Sequence, residues 1–441
     1  MKTHLSNAAC GILDYAAYPI GMLIVAPVML RNLGVAQYGV WAVVTAAVST
    51  GSIVASGFGD ANIQHVATQR GIGDPGALLR AVRSTMGIHL VLGTAIALIS
   101  WMLAPYLARH ITASDPGLQS ACIWSLRIAS LVILARTVET VCISTQRAFE
   151  RYGAAVRISI FVRLLTLAAA AAISVFSPSV VSIMAATAVL ITAGLWLQLA
   201  RLKELLHADT LAPAFDRETT RALFAFGIFS WMQAVSGVVL SQADRLIAGV
   251  TLGATAVASY ALCVQMAQPI YGFAASGLHF IFPHLAQRRV TTSPTALRKA
   301  VLLAFLANLV LVGVSTAALL LFGDRVLHAW AGESVARSAG RVLPLIVWSS
   351  ALLGLNVTGM YAMLALGRVQ VVTWLNLGAG ATMLLLILWL LPHYGIYGMA
   401  MARLCYSPIP LLLYIPLLFL LRSRPGARVQ MTAAAPICEE A

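Results

Sequence analysis

Apolar runs of about twenty residues, each long enough to cross a bilayer as a helix, follow one another along nearly all of this 441-residue chain. In lipid the backbone has no water to bond, so each run must satisfy its own polar groups. A helix does that, and the lack of two-residue alternation sets a β-barrel aside. Spans are predicted at Ala8–Leu30, Gly39–Phe58, Ser84–Tyr106, Gln119–Ile143, Val156–Val175 and Val180–Ala200, then at Leu223–Leu240, Ala254–Gly277, Ala300–Phe322, Val342–Met363, Val371–Leu391 and Ile396–Leu421. With 60% hydrophobic and 10% charged residues and a mean hydropathy of +0.87, the chain lies far from soluble proteins.

The two sets of spans match at an offset of 219 residues. Leu33-Gly34 meets Leu252-Gly253, His65 meets His284, Arg70 meets Arg289, and Arg80-Ala81-Val82 meets Lys299-Ala300-Val301. A unit used twice in the same orientation is the plan of a transporter with two moving halves. The expected fold is an all-α integral membrane protein of twelve transmembrane helices in two six-helix lobes related by a parallel repeat. Residues 1–205 form the N-terminal lobe, 206–421 the C-terminal lobe and 422–441 a tail without assigned role.

Lys and Arg collect in alternate loops, and with an inside N-terminus only Arg31, Arg109, Arg325, Arg337 and Arg341 lie in the outer ones. Basic residues remain on the cytoplasmic side, so both termini are expected there, in a multi-pass protein of the bacterial inner membrane. The net charge of +14 then reflects topology and attraction to anionic lipid rather than nucleic-acid binding. Asp14, Pro19 and Pro27 interrupt the first run, which reads as a retained helix and not a signal peptide.

Several chemistries are excluded. The six cysteines lack paired spacing for zinc or disulfides, and none of the three lysines ends a glycine-rich phosphate loop. Neither a metal-binding His-Glu motif nor a nucleophile elbow is present. The expectation is no enzyme, no metal and no bound cofactor, with a proton or sodium gradient left open as an energy source.

Function must then reside in ionisable residues within spans, which are costly in hydrocarbon and face a bundle interior or wet cavity. These are Asp14, Arg127, Arg136, Glu139, Arg163, Asp244, Arg245 and Arg403. Arg136 and Glu139 share a helical face and can neutralise each other. Arg127 lies nine residues from Arg136, about 180° around the helix, so both cannot face one cavity and one of the two meets a neighbouring helix or snorkels outward. Arg163 and Arg403, roughly 10 Å inside their spans, are the leading candidates for a cationic cavity. Asp14 is left as ion site, proton acceptor or arginine partner. His65 and His284 read as structural helix-end residues.

Gly34 and Gly253 suit helix ends that need a left-handed backbone, and Tyr38, Trp41 and Tyr260 suit the membrane interface as anchors. These same stretches, Leu33-Gly34 with Tyr38-Gly39-Val40-Trp41, Gln242 to Gly249 leading to Leu252-Gly253 and Tyr260, and Pro392 to Ala402, resemble the Wzx-type polysaccharide flippases of the multidrug, oligosaccharidyl-lipid and polysaccharide exporter superfamily. The resemblance covers nearly the whole chain. It implies two lobes around a central cavity and a polyprenyl-diphosphate-linked oligosaccharide as cargo, destined for O-antigen, capsule or exopolysaccharide, with membrane lipids, a polysaccharide polymerase and export machinery as partners. Lipid II flippases of the superfamily are similar but usually carry two further helices. A proton- or sodium-coupled multidrug exporter coupled at Asp14, and a membrane polysaccharide polymerase, are the alternatives.

Overall fold

The computed structural model describes residues 2–113, 115–149, 152–278, 294–366 and 368–422. Its helices are α1 Lys2–Ala55, α2 Gly59–Ile72, α3 Pro75–Ile111, α4 Gln119–Ala148, α5 Tyr152–Phe176, α6 Val180–Leu206, α7 Arg217–Leu252, α8 Ala254–Leu278, α9 Pro294–Ala339, α10 Leu343–Ala365, α11 Val369–Tyr406 and α12 Tyr414–Arg422. Among the described residues, eight helical stretches are long and apolar enough to cross a membrane. Every predicted span falls on helix, but two pairs share an element. The first two lie on α1, bent at Gly34, and the last two run through α11, bent at Gly395, into α12.

The bends correct one expectation. Gly34 (φ 77°, ψ 167°) and Gly253 (φ 81°, ψ 174°) adopt nearly the same backbone, as the repeat implies, but it is not the left-handed helical conformation. It is the region at positive φ and extended ψ that is essentially restricted to glycine. Such a residue reverses the chain direction abruptly, so consecutive helices join with no loop between them.

Helix starts follow local chemistry. Asp74 precedes Pro75, and its carboxylate accepts from the N–H groups of Gly76 (2.8 Å) and Ala77 (3.0 Å), so α3 begins nine residues before the predicted span. Asp216 caps α7 in the same way, accepting from the Thr219 hydroxyl (2.5 Å) and N–H (2.9 Å). These bonds hold both carboxyls below the usual aspartate range, through the Ala77 N–H at Asp74 and the Thr219 hydroxyl at Asp216.

Within the first half α3 packs on α4, α4 on α6, and α1 on α4 and α5; within the second, α8 and α9 pack on α10, and α11 on α7. The halves meet mainly where α1 lies against α8 and α7. At the end carrying Gly34 and Gly253, Tyr38 donates to Gln265 (2.7 Å) and Arg31 to the Ala329 carbonyl (2.5 Å). Farther along, α7 leans on the first half: Trp231 donates to the Val54 carbonyl (2.8 Å), and Phe58 packs where Gly227 has no side chain.

Two outcomes are expected. Gly34 has open space around it, so Gly34→Ala should cost only backbone strain, on the order of 1–3 kcal/mol. That loss should appear as a lower Tm in detergent, whereas Gly378→Ala, with equally open space and no positive φ, should not lower it. Because folding depresses Asp216, its cap is complete above the ordinary carboxyl pKa of about 4 and is lost as pH falls through the lower folded value. Hydrogen-exchange protection in the first turn of α7 should drop over that acidic window in the native chain, and unchanged protection would contradict the assignment.

Candidate functional site

Asp244, late in α7, and Arg403, in α11, form an ion pair in the second half, with Arg403 Nη1 2.5 Å from Asp244 Oδ2. Tyr260 of α8 donates to the same oxygen (2.6 Å), and the Arg245 N–H donates to Oδ1 (2.8 Å). Only 1% of the Asp244 side chain and 11% of the Arg403 side chain are exposed. A buried carboxylate is tolerable when its lone pairs are matched by charged and neutral donors, and here they are. Behind the arginine, Ser349 and Ser407 both donate to its carbonyl oxygen. Three helices, α7, α8 and α11, are thereby tied at one point.

Arg127, Arg136, Glu139 and Arg163 lie away from this pair, on α4 and α5 of the first half. Arg136 donates to Glu139 on the same turn of α4 (2.8 Å), with Glu139 almost fully buried and Arg136 partly open. Arg127 points the opposite way, its guanidinium 5.2 Å from the Trp101 ring of α3 and 5.4 Å from that of Trp124, both partly exposed. This is a cation stacked on aromatic faces. Arg163 is half-buried on α5, one turn before Leu167, which packs where Gly21 of α1 lacks a side chain. Arg245 is half-buried, and its Nε has no hydrogen-bond partner among the described residues. The side chain of Asp14, the whole of His284 and the tail beyond Arg422 lie outside the described residues.

Arg403, expected to present its charge to a cavity, therefore spends it on Asp244. The expected interface anchors are also corrected. Tyr38 and Tyr260 are fully buried and Trp41 nearly so, because each tyrosine hydroxyl has an internal acceptor, Gln265 for one and Asp244 for the other. The signal for Tyr260 was its distance from Gly253: Asp244 and Tyr260 stand about equally far before and after that reversal, which brings them level. Among the described residues no three His, Cys, Asp or Glu side chains cluster as metal ligands.

The sequence matches the profile of a polysaccharide biosynthesis protein family over residues 9–288. The chain belongs to that family. No curated protein matches it. Among solved structures its fold is similar to the lipid II flippase MurJ in an inward closed conformation, at 12% identity over 95% of this chain and 88% of that one, with a TM-score of 0.75. An inward-facing multidrug resistance MATE transporter of the MOP superfamily matches at 14% identity over 93% of this chain and 98% of that one, with a TM-score of 0.71. An outward-facing MATE structure gives 0.57 at 15% identity, over 92% of this chain and 95% of that one. The family member thus has the fold of MOP-superfamily transporters.

Removing one partner of the buried pair leaves an uncompensated charge, which typically costs about 3–5 kcal/mol. Arg403→Met and Asp244→Leu should each lower the Tm of the family member strongly. The double variant should recover most of the loss; if it melts as low as the sum of the two, the pair does not carry the energy assigned to it.

Proposed function

We propose that the chain moves a polyprenyl-diphosphate-linked oligosaccharide from the cytoplasmic to the outer face of the inner membrane by alternating access. The family match carries this reading, since polymer assembly outside the cell requires a sugar head group to cross hydrocarbon while its lipid tail stays within it. Two helical halves that meet chiefly where α1 lies against α8 and α7 suit that task, because opening a lateral cleft between them accommodates head group and tail together. The higher similarity to an inward-facing than to an outward-facing relative supports reading this arrangement as the one that loads cargo from the cytoplasm.

Recognition of the diphosphate is assigned to arginines, whose guanidinium matches phosphate oxygens in pairs. Arg163 and the partly open Arg136 are the first-half candidates. Arg136 is held by Glu139, so cargo phosphate competes with that carboxylate for the guanidinium, and the carboxylate offers a coupling ion a place to act. Asp244 and Arg403 are the second-half pair, buried among α7, α8 and α11. In the sodium-coupled version the same carboxylates take the cation instead.

The test is sidedness. Cells lacking the protein should accumulate lipid-linked repeat units on the cytoplasmic face and lose surface polymer. Arg163→Ala should lower export about tenfold, the loss of one charged hydrogen bond of roughly 1.5 kcal/mol, at normal protein level, with Arg163→Lys intermediate. Accumulation on the outer face would assign the protein to polymerisation, and altered drug resistance with unchanged polymer would assign it to drug export.

A further inference from the structure

Apart from the Asp244 and Arg403 pair of the second half, a cavity of about 520 Å³ is cut into the flank of the first half. It lies between α3 and α6, with Val138 of α4 at its back and the connection from α6 to α7 across one end. Its volume is within the range of about 300–1,000 Å³ usual for small-molecule sites. Met86, Leu90, Trp196 and Leu199 make the walls apolar, whereas Lys203 and Asp209 line the end beside the connection.

Both walls belong to helices long and apolar enough to cross a membrane. Trp196 is 69% exposed and Leu90 36%, so the cavity opens sideways, toward lipid rather than into the protein. From Trp196 to Lys203 the slot runs along α6 for about 10 Å at 1.5 Å per residue. An apolar channel parallel to the helices, ending in one base and one acid, repeats the layout of a phospholipid, with a hydrocarbon chain below and a phosphate and an ammonium above.

The connection beside the exposed Lys203 and Asp209 is held in place. Arg83 Nε donates to the Ala212 carbonyl (2.8 Å), the Ala214 N–H donates to the Arg83 carbonyl (3.1 Å), and the Asp216 N–H donates to the Ser84 hydroxyl (3.2 Å). These bonds pin the connection to α3. A Cβ on Gly87 would stand 2.8 Å from the Ala214 oxygen, so glycine is what lets the connection lie this close.

We infer that this cavity holds one chain of a membrane phospholipid whose headgroup carries a phosphate and a primary ammonium, the phosphate at Lys203 and the ammonium at Asp209. Basic pockets between membrane helices bind lipid headgroups on the same electrostatic ground. The bound lipid braces the link between the two halves at the end where that link leaves the membrane. The assignment is independent of what the protein transports.

Native mass spectrometry of the full chain tests it, with phosphatidylethanolamine, phosphatidylglycerol and a polyprenyl phosphate offered in competition. The native chain should retain one phosphatidylethanolamine several-fold over phosphatidylglycerol. Ala200→Trp, which fills the slot, should abolish retention, and the exposed Lys203→Gln should weaken it without lowering Tm. Asp209→Asn should erase the preference between the two headgroups. Equal retention of both phospholipids by the native chain, undiminished retention by a folded Ala200→Trp or Lys203→Gln protein, or displacement by the polyprenyl phosphate would each overturn the assignment.

Discussion

Gly39 governs how the two halves meet, because a Cβ there would stand 1.8 Å from the Ala254 carbonyl oxygen. Backbone lies on backbone where α1 turns away from its Gly34 bend and α8 begins after Gly253. Membrane helices gain little from apolar burial against one another, so close approach through small residues is their main source of attraction. Around this contact stand Tyr38 with Gln265 and Arg31 with the Ala329 carbonyl. Each such bond contributes about 0.5–1.5 kcal/mol, more where the donor is charged. A seam of this kind joins the two halves through close packing and hydrogen bonds.

The strongest interactions lie inside the halves. Asp244, Arg403 and Tyr260 fasten α7, α8 and α11 to one another, and Arg136 with Glu139 stays on a single helix. In the first half, Asn62 of α2 donates to Ser144 and Thr145 of α4, and Gln146 donates to Gln198 of α6. In the second, Asn308 of α9 donates to the Gly354 carbonyl and to Thr358 of α10. These buried polar groups find partners within their own bundle, which suits bodies that rock against each other. Tyr38 with Gln265 and Arg31 with Ala329 cross this division, and α7 spans it, since its first part rests on Phe58 and Val54 while its last part carries Asp244.

The spans were legible because each must hold its own backbone bonds, which leaves an uninterrupted apolar run in the sequence. The chain reversals at Gly34 and Gly253 were legible from the repeat, though their conformation was not, since a glycine records a need for positive φ without recording ψ. The start of α3 could have been read from Asp74-Pro75. The Arg403 to Asp244 pair could not: the residues are 159 positions apart, and nothing local says that α11 packs on α7. Tyr38 and Tyr260 were misplaced for a related reason, because an aromatic with a hydroxyl near a span end looks alike whether it faces lipid headgroups or an internal acceptor.

We propose that transport requires the seam of α1 against α8 and α9 to open. It is tested most directly by bridging Arg31→Cys and Ala329→Cys with a short bis-maleimide, in a chain otherwise lacking cysteine, and measuring translocation of a lipid-linked oligosaccharide in proteoliposomes. The bridged protein should be arrested, while the same double variant left unbridged, or modified at each site with a monofunctional maleimide, should continue to work. Undiminished translocation by fully bridged protein would show that the seam need not open.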